Sequence, residues 1–126
     1  VDEVSIIGLD LAKTVFQVHG AGQDGRTVLR KELHRGRLLE FFAELPRCVV
    51  AMEACASAYY WGREIGKFGH DIRLIHPSYV KPFVKRQKND AADTEAIAEA
   101  ASRPTMRFVG VKSAEKQASF HGVQGS

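Results

Sequence analysis

Four acidic residues stand apart in this chain by position. Asp10 closes a β-branched run, Val4 to Asp10 (VSIIGLD), and Glu53 closes another, Cys48 to Glu53 (CVVAME). Both runs are apolar on successive residues, the pattern of strands buried on both faces. As parallel neighbours they would bring both carboxylates out at one C-terminal sheet edge, where ligand sites of mixed α/β sheets usually form. Asp90 and Asp93 stand at i and i+3, in line with Ile97 and Ala100 on one stripe of a helix. That stripe is expected to press on the sheet. Thr94, Glu95, Glu99, Ser102 and Arg103 are expected on the opposite, polar face, with Glu95 in solvent.

Four converging carboxylates raise one another's pKa unless a cation neutralises them. Magnesium is hard and oxygen-seeking and meets that demand, often with substrate phosphate completing its shell. Two such ions about 3.5–4 Å apart can activate an attacking oxygen and stabilise a leaving one in phosphodiester chemistry. Each acid has a plainer reading when taken singly. Asp10 also fits the start of a turn, Glu53 a partner for an arginine, and Asp90-x-x-Asp93 an N-capping arrangement. The set of four, not any member, points to metal.

The elements that must position these acids follow from pattern. Thr14 to His19 (TVFQVH) comes so soon after the first strand that only an antiparallel partner fits, since a parallel crossover needs a dozen residues or more. Ala21 to Gly25 (AGQDG) marks a turn, and Arg26 to Leu33 is a third, more polar strand at an edge. Leu38, Phe41, Phe42 and Leu45 recur at helical spacing up to Pro46. After this helix the Cys48–Glu53 strand can lie parallel to the first. Residues 57–68 predict a second helix, and Asp71 to Ile75 (DIRLI) a fifth strand. His76-Pro77 opens a third helical stretch to about Arg86, and Asn89 or Asp90 caps a fourth helix ending at Arg103 before Pro104. The expected fold class is α/β, a mixed five-stranded sheet of a three-strand antiparallel meander plus two parallel strands, with helices on both faces. Residues 1–104 form the domain. Residues 105–126 are expected to be a connector, with Met106 to Val111 packed somewhere, Ser113 to Ser119 beginning a helix and a frayed end.

Lys81, Lys85, Arg86 and Lys88 form a basic run without an acid just ahead of Asp90, and phosphate backbones are bound chiefly by such charges. A solvated helix face is the bland alternative. Tyr59, Tyr60 and Trp61 could stack on bases, although core packing suits Trp61 better. Among the five histidines only His76, near the C-terminal sheet edge, draws notice. Cys48 and Cys55 form no CxxC pair and have no histidine at zinc-finger spacing, so reduced thiols of a cytoplasmic protein are expected. The chain has 126 residues and a formal charge of +3, one domain of common size whose charge permits a nucleic-acid partner without showing one. No apolar run suits a membrane span, and the N-terminus has no export-signal pattern.

At the acids the sequence resembles a known family. Gly8-Leu9-Asp10-Leu11-Ala12-Lys13, Met52-Glu53-Ala54 and Lys88-Asn89-Asp90-Ala91-Ala92-Asp93 look like the DEDD signature of one group of insertion-sequence transposases, a pattern the pilin-gene inversion recombinases share. The N-terminal domain of these enzymes is similar to the RuvC Holliday-junction resolvase, a ribonuclease-H-like fold. The match runs in order from residue 4 to about residue 117. It implies that Asp10, Glu53, Asp90 and Asp93 are catalytic and bind two Mg2+ or Mn2+ ions, and it puts Lys13 and Lys88 in matching motifs without a ligand role. It also implies DNA as substrate, a guide RNA, assembly into oligomers, and a separate C-terminal domain that supplies a nucleophilic serine. This chain ends before such a domain, so none of its own serines is assigned that role. The expected function is therefore a catalytic lobe for DNA strand cleavage and exchange. A docking module for guide RNA or DNA that does no chemistry unaided is the alternative. An actin-like or sugar-kinase-like nucleotide binder ranks below both, because Leu11-Ala12-Lys13 is a poor substitute for a Gly- and Thr-rich phosphate loop.

Overall fold

The computed structural model describes residues 4–11, 15–84 and 90–110, apart from the side chains of residues 90–93. Five strands form one sheet in the order β3-β2-β1-β4-β5. They are β1 (Ile6–Asp10), β2 (Val15–Ala21), β3 (Thr27–His34), β4 (Val49–Glu53) and β5 (Asp71–Ile75). β1, β2 and β3 pair antiparallel as a meander, while β4 runs parallel to both β1 and β5. The first hairpin is too tightly connected for a crossover, whereas the helical connections before β4 and β5 permit parallel pairing. Gly25, with φ of 85°, takes the left-handed backbone that the turn between β2 and β3 requires.

Helices cover both faces. α1 (Leu38–Glu44) and α2 (Ala56–Gly66) bury Leu38, Phe42, Trp61 and Ile65 against Ile7, Leu9, Phe16, Val50, Met52 and Leu74. Phe16 and Trp61 meet edge to face at 5.4 Å between ring centres, which stabilises such pairs by about 0.5–1.5 kcal/mol beyond burial. On the other face α4 (Asp90–Ala101) sets Ala96, Ile97, Ala100 and Ala101 against Ile6, Ala51 and Ile75. α3 (Pro77–Val80) contributes Val80 to this second cluster.

Three expectations need correction. The third helical stretch does not continue to Arg86: α3 passes into a 3-10 turn over Lys81–Phe83, and Val84 is extended. Pro82 lacks the N–H that a longer helix would need. Thr94, assigned to the polar face of α4, is 1% exposed. Glu95, assigned to solvent, is partly buried and faces His19 electrostatically. For Thr94 the reason is Gly8. A Cβ built there would lie 2.4 Å from the Thr94 carbonyl oxygen and 2.8 Å from the Ala98 nitrogen. With no side chain beneath it, α4 sits so low on the sheet that its buried arc widens to include Thr94 and Ala98.

β3 is the open edge the sequence predicts, with Arg30, Lys31 and Glu32 all exposed. The outer side of β5 is touched by the segment after α4: Val109 forms an isolated antiparallel bridge to Leu74, its N–H donating to the Leu74 carbonyl at 2.7 Å. The stretch from Ser113 to Ser119 lies outside the described residues.

Candidate metal centre

Asp10 and Glu53 are the last residues of β1 and β4. The two strands pair in register from Ile6–Val49 to Leu9–Met52, so the acids occupy the next step of the ladder. Side chains alternate between faces along a strand. Asp10 therefore shares the face of Gly8, and Glu53 that of Ala51, which is the face α4 covers. Both acids are partly exposed and both have partners within the protein. α4 begins with Asp90 and carries Asp93 one turn on, and the adjoining Thr94 is the residue that rests on Gly8. The residue that follows Asp93 thus lies over the strand that ends in Asp10. Among the described residues no group of three or more His, Cys, Asp or Glu is gathered as a metal site, the side chains of Asp90 and Asp93 lying outside them. A groove of about 1160 Å3 opens at the other end of the sheet, beside Ser5, Arg47 and Asp71, away from these acids.

No protein-family model matches the chain. A probable family 20 transposase of Pseudomonas aeruginosa is 58% identical over 123 residues, which take in 96% of this chain and 36% of that protein. The transposase for insertion sequence element IS1328 of Yersinia enterocolitica is 48% identical over 115 residues, 91% of this chain and 34% of that protein. This chain is a relative of the insertion-sequence transposases. It spans about a third of the length of the curated relatives it matches. Its fold is RuvC-like and ribonuclease-H-like. Thermus thermophilus RuvC in complex with Holliday junction substrate aligns with a TM-score of 0.59 at 15% identity, over 86% of this chain and 100% of that one. A second Thermus thermophilus RuvC structure aligns at 0.58 and 14%, over 82% and 99%. Identity that low speaks for fold alone.

Of the basic residues expected in this transposase relative, Lys81 is exposed in the 3-10 turn after α3. Lys13, Lys85, Arg86 and Lys88 lie outside the described residues. Trp61 is buried against Phe16 as core packing requires, and Tyr60 leans on it at 4.9 Å while staying exposed. His76 caps α3, its Nδ1 accepting the Ser78 N–H at 3.2 Å.

Two histidines carry more than their spacing revealed. His70 is buried, accepts the Cys48 N–H on Nδ1 at 3.2 Å, and so donates from Nε2 to the Phe42 carbonyl at 2.8 Å. It ties α1 to the start of β4. His19 is buried on β2 opposite Gly8, with the Thr27 hydroxyl 3.5 Å from its Nε2. Burial lowers its pKa, Glu95 opposes the shift and Arg30 adds to it. No helix among the described residues is long and apolar enough to cross a membrane.

Proposed function

We propose that this chain is the metal-binding catalytic lobe of a DNA transposase or recombinase, with Asp10, Glu53, Asp90 and Asp93 as the ligands of two Mg2+ or Mn2+ ions. The observation that carries the reading is the placement of Asp10 and Glu53 at the same step and on the same face of adjacent parallel strands. Two neighbouring carboxylates, partly exposed, are a donor set that suits a hard divalent ion. Bound there, such ions would supply Lewis acidity toward a phosphodiester.

The chain's own residues orient the reaction. The β1–β4 ladder fixes the spacing of Asp10 and Glu53, and Gly8 lets α4 approach closely enough for Asp90 and Asp93 to complete the set. Lys81, with Lys13, Lys85, Arg86 and Lys88, holds the phosphate backbone beside the acids. DNA as the partner is supported by the transposase relatives and by RuvC with its Holliday junction substrate. A guide RNA, a serine-bearing C-terminal domain and an oligomeric assembly belong to the same proposal for the longer protein.

The test is a calorimetric Mn2+ titration of the chain and of two double variants, Asp10→Asn with Glu53→Gln and Asp90→Asn with Asp93→Asn. The parent is expected to bind and both variants to lose binding while circular dichroism shows them folded. A folded parent that takes up no manganese overturns the preformed centre and favours the docking alternative.

A further inference from the structure

The same sheet edge carries two aromatic rings that the core does not use. β5 ends at Ile75, the ladder partner of Glu53, and the Ala54 N–H donates to the Ile75 carbonyl at 2.8 Å. His76 follows at once, so α3 starts directly beside the end of the Glu53 strand. The His76 imidazole is fixed through Nδ1, which accepts the Ser78 N–H and lies 2.9 Å from the Ser78 hydroxyl. Tyr79 stands three residues on, its ring centre 6.0 Å from that of His76 and tilted by 56°. Both residues are exposed, Tyr79 at 44%. Val80, 1% exposed, anchors α3 to the cluster beneath α4. Lys81 is exposed next in the chain, and residues 76–84 contain no acid.

A scattered exposed ring is normal on a protein surface. This pair differs in being held by a cap and an apolar anchor, next to a cation and to a proposed metal ligand. We infer that His76 and Tyr79 form a stacking platform for an unpaired nucleobase of the DNA strand that the carboxylate edge receives. The inference rests on the DNA-processing reading above. Every base has a π-face, so a ring at this position orients a strand without selecting its sequence, while the adjacent cation engages phosphate.

The experiment measures binding of the whole chain to a labelled oligothymidylate and to the same oligomer made abasic, by fluorescence anisotropy. The parent is expected to prefer the base-bearing strand. Tyr79→Ala weakens that binding by about tenfold, the scale of one lost base stack, and leaves abasic binding unchanged. Tyr79→Phe keeps the preference, and Lys81→Ala weakens both oligomers alike. If Tyr79→Ala leaves both affinities as they were, or lowers both equally, the platform is wrong although DNA binding stands. If the folded parent binds neither oligomer, the platform and the DNA reading fall together, whatever the outcome of the manganese titration.

Discussion

Cys48 and Cys55 bracket β4 and differ in chemistry because they differ in burial. Cys48 lies under His70 and burial pushes its thiol up to about 11, whereas Cys55 is exposed ahead of α2. The thiolate is the reacting form. A chromogenic disulfide reagent at mildly alkaline pH is therefore expected to titrate one thiol of the folded chain quickly and the second only in denaturant. Two fast thiols would contradict the packing around Cys48. The sequence predicts free thiols here, but the role of His70 was not legible, since its partners Phe42 and Cys48 lie 28 and 22 residues away. A histidine satisfied by distant backbone groups leaves no local periodicity to read. The placement of Asp10 and Glu53 was legible because each closes a doubly apolar strand.

At the scale of elements, the fit of α4 on β1 governs where the acid-bearing turn sits. Gly8→Ala is expected to destabilise the chain by at least about 1–3 kcal/mol, the usual cost of overpacking, because the new methyl meets helix backbone that cannot rotate away. Urea unfolding measures this, and a change within about 0.5 kcal/mol, typical of surface substitutions, would mean that α4 is not seated as described. The strands, the meander and the parallel pairing of β1 with β4 were legible from runs of apolar residues and from connection lengths, whereas the place of β5 beside β4 was not. The faces of α4 were legible only in part. Ile97 and Ala100 are buried as their spacing predicts, but alanine-rich helices have weak contrast between faces, and Thr94, expected opposite that stripe, is buried as well. Close approach at Gly8 decided otherwise, and a glycine in a strand interior is the local signal for such an approach.

For the molecule as a whole, His19 couples stability to pH. Its folded-state pKa is below the ordinary 6.5, first through burial and further through Arg30, against the pull of Glu95. The unfolded chain takes up the proton at higher pH than the folded one does. Stability is then fully present above the unfolded value, declines as pH falls through it, and levels off once the folded histidine also protonates. The urea midpoint is expected to drop as pH falls through about 6.5, the ordinary histidine value, and His19→Gln to make that drop shallower. Equal slopes in parent and variant would show that His19 does not titrate differently on unfolding.

The two outer strands of the sheet have a consequence for solution behaviour. An exposed, flat strand margin recruits strands from other molecules and seeds aggregation. β3 counters this with the charges of Arg30, Lys31 and Glu32, which make edge-to-edge addition electrostatically costly. β5 has its backbone partly occupied by Val109. The chain thus guards one border with charge and the other with its own downstream backbone, so a truncation that removed residues beyond Arg107 would leave the second border open to polymerisation.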